Sequence, residues 1–70
     1  MKEIPLNSSA LSAYVYDQQH RLLWIRVQTG ERYLYRTIPA GVVEVLLQSP
    51  SQGHYFNSNI RPIFPSTRLS

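Results

Sequence analysis

Two segments of the sequence alternate in the manner of β-strands and are separated by only a short turn. Residues 22–28 have the sequence LLWIRVQ and residues 32–38 have the sequence RYLYRTI, with a TGE turn between them. Alternate residues of a strand face opposite sides of its sheet, and a glycine-containing turn between two such segments is typical of a hairpin. The segments are therefore predicted to pair, and the length of the turn decides which side chains share a face.

The cost of burying arginine selects the register of this hairpin. A two-residue turn would place Arg32 and Arg36 among aliphatic side chains, and a buried charge without a partner costs several kcal/mol. A turn of three or five residues avoids this burial. It gives a core face formed by Leu23, Ile25, Val27, Tyr33 and Tyr35. The opposite side, which we call the open face, then carries Trp24, Arg26, Arg32, Leu34 and Arg36.

The remaining segments complete a predicted α+β fold. Residues 11–17 (LSAYVYD) are typical of a third strand, and residues 40–49 are predicted to be a helix between Pro39 and Pro50. Its apolar stripe is expected at Val42, Val45, Leu46 and Ser49. Residues 51–59 are predicted to be a loop, residues 60–65 an extended or edge segment because of their prolines, and residues 66–70 a frayed end. The prediction is a small three-stranded antiparallel sheet in the order β-β-β-α, with one helix covering one face and an extended C-terminal segment.

Composition narrows the classes of function. The 70 residues are predicted to form one domain over residues 1–70, with an ordered core at about 7–65. There is no cysteine, and His20 and His54 are the only histidines, so neither a disulfide nor a metal site is expected. No phosphate-binding glycine loop or activated nucleophile is recognisable. We therefore expect a protein that is not an enzyme and that has no cofactor.

Charge and hydropathy point to a cytoplasmic binding protein. The net charge is +3, and apart from Lys2 all of the lysine and arginine residues are arginine, which suits recognition of phosphate and carboxylate. No segment has the length of apolar sequence that a membrane span or a signal peptide needs. A cytoplasmic location without membrane contact is the resulting expectation.

Several short motifs in order resemble the KTSC domain, which is named for the C-terminal extension of some lysyl-tRNA synthetases. They are Ser8-Ser9, Tyr16-Asp17, Tyr33-x-Tyr35, Ile38-Pro39, S-x-G-x-Y-F-N over residues 51–57, and Ile60-Arg61. The resemblance covers about residues 7–65, with departures at Val15 and Pro50. It implies a role in RNA binding by association with the synthetases, and it supplies no catalytic residue.

Six of these motif residues are assigned a structural role. Gly53 is predicted to allow a turn with positive φ, and Asn57 is predicted to tie its loop through side-chain hydrogen bonds to the backbone. The residues assigned a structural role are Tyr33, Tyr35, Ser51, Gly53, Phe56 and Asn57.

Two functions remain open for the other face of the sheet. Single-stranded RNA or DNA could stack a base on Trp24 and place its phosphates on the arginines. Alternatively, the same face could bind a second copy or another protein, because tryptophan and arginine are enriched at protein interfaces. The residues assigned to either role are Trp24, Arg26, Arg32, Leu34, Arg36 and Arg61.

Overall fold

In a computed structural model, which describes residues 2–70, the chain forms an antiparallel sheet of five strands and two helices. The strands lie side by side in chain order: β1 (Ile4–Pro5), β2 (Leu11–Asp17), β3 (Leu22–Val27), β4 (Arg32–Tyr35) and β5 (Ser66–Arg68). Helices α1 (Ala40–Gln48) and α2 (Gln52–Asn59) connect β4 to β5. The α+β class is confirmed, whereas the predicted number of three strands is too small.

The central hairpin adopts the register that keeps arginine out of the core. Leu23 lies opposite Tyr35, and Arg26 lies opposite Arg32. The last hydrogen-bonded pair of the hairpin is Val27 and Glu31, so the turn consists of the three residues 28–30. The amide of Val27 donates to the carbonyl of Glu31 at 3.0 Å. Gly30 has a φ of 103°, which a side chain would disfavour. The predicted division of β3 and β4 into a core face and an open face is therefore confirmed.

The core lies between the sheet and the two helices. Tyr35 is only 3% exposed, and its ring meets that of Phe56 edge to face at a centroid distance of 5.3 Å, a favourable aromatic geometry. The hydroxyl of Tyr16 donates to the carbonyl of Ile38 at 2.6 Å, which fixes the approach to α1. The buried cluster comprises Leu11, Leu23, Ile25, Tyr35, Ile38, Val43, Leu46, Phe56 and Ile60. Tyr33 packs against this cluster but stays half-buried.

Helix α1 begins at the predicted residue and buries a different stripe from the one predicted. Val43 and Leu46 are buried, whereas Val45 is 50% exposed, so the prediction for Val45 is wrong. Nearly every position from 42 to 47 is apolar, and several stripes at helical spacing are therefore available. Packing against the sheet selects one of them.

Helix α2 occupies the segment that was predicted to be a loop. Ser51 caps it, with its side chain accepting a hydrogen bond from the amide of His54 at 3.4 Å. Gly53 lies inside this helix and not in a turn of positive φ, so that prediction is also wrong. The loop prediction followed from the weak helix propensity of glycine, asparagine and serine, and burial of Phe56 and Ile60 overrides that propensity. No helix within residues 2–70 has both the length and the apolar character of a membrane span.

The C-terminal segment differs from the prediction. Residues 60–64 turn back on the end of α2, with the amide of Phe64 donating to the carbonyl of Ile60 at 3.0 Å, and they are not an extended segment. The chain then re-enters the sheet as β5, over residues that were predicted to fray. The amide of Arg36 donates to the carbonyl of Pro65 at 2.9 Å, which aligns β5 with β4. Edge strands this short carry too few alternating residues to be recognised from sequence.

Candidate nucleic-acid interface

The open face consists of an apolar row beside a basic row. Trp24 lies between Val15 of β2 and Leu34 of β4, which are its direct cross-strand neighbours. Arg26 and Arg32 form the next cross-strand pair on this face of β3 and β4. The two helices pack on the other side of the sheet, so Trp24 stays half-exposed. The sheet therefore brings together five of the residues that were predicted to form this surface, namely Trp24, Arg26, Arg32, Leu34 and Arg36.

The three arginines of the open face differ in how far their charge is balanced. Arg26 forms an ion pair with Glu3, in which Nη2 lies 3.0 Å from Oε2. Within residues 2–70, Arg32 and Arg36 have no carboxylate partner. The Nε of Arg32 instead donates to the hydroxyl of Ser70 at 3.2 Å, and Nη1 of Arg36 donates to the hydroxyl of Thr67 at 2.7 Å. The positive charge of the open face is therefore concentrated at Arg32 and Arg36.

A hollow of about 310 Å³ opens between the two rows. Trp24, Val15 and Leu69 supply apolar surface, and the amide of Leu69 donates to the carbonyl of Arg32 at 2.8 Å. Arg32 and the Arg26–Glu3 pair line the polar side of the hollow. A space of this size, with apolar walls and a cation at its border, suits one flat ring attached to an anion.

Sequence reasoning missed three contributors to this hollow: Glu3, Val15 and Leu69. The alternation of residues 11–17 could have placed Val15, because it shares its face with Trp24 once β2 and β3 pair. Glu3 lies just before β1 and Leu69 just after β5, the two edge strands that the sequence did not reveal. Their positions follow only from the folded sheet.

Arg61 does not belong to the open face. It follows α2 on the helix side of the sheet, where it lines a cleft together with Tyr33, Tyr35, Phe56 and Asn57. The structure separates Arg61 from Trp24, and its assignment as a binding residue stays a prediction. The prediction treated the last motif as part of an extended tail, and the turn at residues 60–64 instead directs it to the other side.

Asn57 also has a different setting from the one expected. Its exposed side chain makes no hydrogen bond to the backbone within the described chain, whereas the nearby Asn59 donates to the carbonyl of Tyr55 at 3.2 Å. The prediction that Asn57 ties a loop is therefore wrong, since the segment is a helix.

The histidines lie apart from one another. Nδ1 of His20 lies 2.8 Å from Oδ2 of Asp17 in the β2–β3 turn, and this hydrogen bond lowers the pKa of Asp17. His54 lies on α2. Among residues 2–70 no group of three metal-ligating side chains lies close enough together to hold an ion.

Comparison with known proteins supplies a family and a fold. The sequence model of the KTSC domain family matches residues 7–64 of this chain. An uncharacterized protein of Stutzerimonas stutzeri is 36% identical over 62 residues, which cover 89% of this chain and 87% of that protein. A protein of Tsukamurella paurometabola is 35% identical over 65 residues, covering 93% and 97% respectively.

Two further similarities concern a synthetase and a solved structure. A lysine–tRNA ligase of Nostoc punctiforme is 34% identical over 62 residues, which cover 89% of this chain and 11% of the ligase. The crystal structure of a KTSC domain protein from Yersinia pestis superposes with a TM-score of 0.89 at 24% identity, covering 99% of this chain and 97% of that one. At that identity the superposition shows the shared fold.

Proposed function

This chain belongs to the KTSC domain family, and we propose that it is a non-enzymatic module that binds single-stranded nucleic acid, RNA in particular, on the open face of its sheet. The observation that carries the proposal is the pairing of Arg26 with Arg32 beside the Trp24–Leu34 pair. Glu3 balances the charge of Arg26, whereas Arg32 and Arg36 have no carboxylate partner among residues 2–70 and can donate to a phosphate. The neighbouring tryptophan offers a surface for base stacking.

Two other observations support this assignment. The hollow beside Trp24 has room for a ring the size of a nucleobase, and Arg32 stands at its border. The similar segment of the Nostoc protein is part of a ligase that acts on tRNA. A sheet that presents an aromatic side chain and arginines is one of the surfaces on which proteins bind single-stranded RNA.

Binding is measured by fluorescence anisotropy with a labelled single-stranded RNA at a series of salt concentrations. Trp24→Ala should weaken binding by about 1–3 kcal/mol because it removes the stacking surface. Arg32→Ala and Arg36→Ala should each lower the slope of log K against log salt by about 0.7, since each releases one counterion fewer. Arg26→Ala should lower it less, because Glu3 already balances that charge.

Arg61→Ala is the matched control, because it removes the same charge from the other side of the sheet. Its salt slope should stay close to that of the parent. The proposal is wrong if the parent does not bind RNA or DNA single strands at low salt, or if Arg61→Ala lowers the slope as much as Arg32→Ala does.

The apolar row of the open face supports a second candidate, a docking site for another copy of the chain. Trp24, Leu34 and Val15 stand in line across three strands without a covering layer in the described chain. In that case the parent would be a dimer by light scattering, and Leu34→Asp would convert it to a monomer. Under the nucleic-acid proposal the parent and the Leu34→Asp variant have the same mass in light scattering, and only their affinity for RNA differs.

A further inference from the structure

A second cleft lies on the helix side of the sheet, away from the hollow beside Trp24. It has a volume of about 260 Å³ and runs between β4 and α2. Val27 and Phe56 supply apolar wall, and Tyr33 stands half-exposed along one side. Three of the six motifs that carry the family resemblance contribute residues to this cleft, although they are separated along the chain: Tyr33-x-Tyr35, the motif at residues 51–57, and Ile60-Arg61.

Polar side chains from two elements converge on this cleft. Asn57 lies on α2, and Arg61 follows four residues later. The amide of Arg61 donates to the carbonyl of Phe56 at 3.0 Å, a bond that closes the C-terminal end of α2 and holds Arg61 against the helix. Asn57 and Arg61 therefore border the same cleft, one from the last turns of α2 and the other from the turn that follows the helix. Glu31 and Tyr33 approach from the sheet.

The side-chain N–H groups of Asn57 and Arg61 donate to no acceptor within the described chain. Both are exposed, and neither side chain takes part in the hydrogen bonds or ion pairs formed among residues 2–70. Arg61 also lies near enough to Tyr35 for its charge to act on the pKa of that hydroxyl. The guanidinium provides the planar fork of N–H groups that matches a carboxylate, and the amide in the same cleft adds a neutral donor.

The opposite end of the cleft limits how much negative charge can enter. The hydroxyl of Thr29 donates to the carboxylate of Glu31, and this bond lowers the pKa of Glu31. Glu31 is therefore ionised at neutral pH and repels a second anionic group. It makes no ion pair with Arg61, so the two charges face the cleft from separate positions.

From this arrangement we infer that the cleft binds a small, flat monocarboxylate. Its carboxylate lies against Arg61 and Asn57, and its ring or hydrocarbon body packs on Tyr33 and Val27, which are both partly exposed. The negative charge of Glu31 disfavours polyanions, so this site is separate in place and in chemistry from the open face.

The test is a titration of the isotope-labelled protein followed by NMR, with sodium benzoate as the probe. Benzamide is the control, because it has the same shape without the charge. Benzoate should give saturable shifts at Tyr33, Asn57 and Arg61, and it should bind about tenfold more tightly than benzamide, as for one charge-assisted contact. Equal affinity for the two compounds, or no saturable shift with benzoate, would overturn the inference.

Two variants locate the carboxylate. Arg61→Gln and Asn57→Asp are both at exposed positions and should fold as the parent does. Each should weaken benzoate about tenfold while leaving benzamide unchanged. Arg36→Gln is the matched control on the open face and should bind benzoate like the parent. Benzoate binding that survives Arg61→Gln, or that falls equally in Arg36→Gln, would show adventitious anion binding and overturn the site.

Discussion

Replacing Tyr35 by alanine is expected to lower the free energy of unfolding by about 3–5 kcal/mol. The ring is 3% exposed and packs edge to face on Phe56, so its removal leaves a cavity between the sheet and α2. Urea unfolding followed by circular dichroism measures the loss. Tyr33→Ala is the comparison, since Tyr33 is half-buried on the same strand and should cost less. Equal unfolding midpoints for Tyr35→Ala and the parent would contradict the register of the hairpin.

The hydroxyl of Tyr35 gives the same position a dependence on pH. Burial raises the pKa of Tyr35 above 10.0, and the positive charge of Arg61 offsets part of this effect. Because the pKa of Tyr35 is higher in the folded state than in the unfolded state, its protonated hydroxyl contributes fully to the stability of the fold below pH 10.0. That contribution to stability is lost as the pH rises through the folded-state pKa. Tyr35→Phe removes the ionisable hydroxyl, so this variant should lose less stability than the parent in alkali.

Replacing Gly53 by valine is expected to cost about 3 kcal/mol, the upper end of the range for overpacked sites. A Cβ atom at Gly53 would lie 2.9 Å from the Cβ of Ala10, and neither atom can move without its backbone. Helix α2 would have to shift away from the start of β2. Thermal unfolding and urea unfolding both report the loss.

Gly41→Val is the matched control for this substitution. Gly41 also lies in a helix, but a Cβ atom there would meet nothing within 4 Å. The free energy of unfolding should therefore change by no more than about 0.5 kcal/mol. Similar losses at Gly41 and Gly53 would show that the approach of α2 to Ala10 does not set the cost, because valine is a better helix former than glycine.

The two candidate sites lie on opposite sides of one sheet because alternate residues of β4 point in opposite directions. Arg32 and Leu34 face the hollow beside Trp24, whereas Tyr33 and Tyr35 face α2. A variant on one side should therefore leave binding on the other side unchanged, since sites without shared contacts contribute independently. Titration of the Arg61→Gln variant with RNA and of the Trp24→Ala variant with benzoate tests this independence, and each affinity should equal that of the parent.

The sequence alone determined the central hairpin and the composition of the open face. Strand alternation and the cost of burying arginine are local physical rules, and both depend on residues that are close along the chain. They were sufficient to place Trp24, Leu34 and three arginines on one surface and Tyr35 in the core. The start of α1 was predictable for a similar reason, because proline suits the beginning of a helix and Pro39 lies directly before α1.

Only the tertiary structure decided the remainder of the fold. Residues 52–59 become a helix because Phe56 and Ile60 are buried against Tyr35 and its neighbours, although their own helix propensity is weak. The edge strands form because β2 and β4 offer unpaired backbone groups, and pairing adds Glu3 and Leu69 to the open face. The turn at residues 60–64 carries Arg61 to the other side of the sheet. These contacts join residues far apart in the chain, and their free energy exists only once the core has formed.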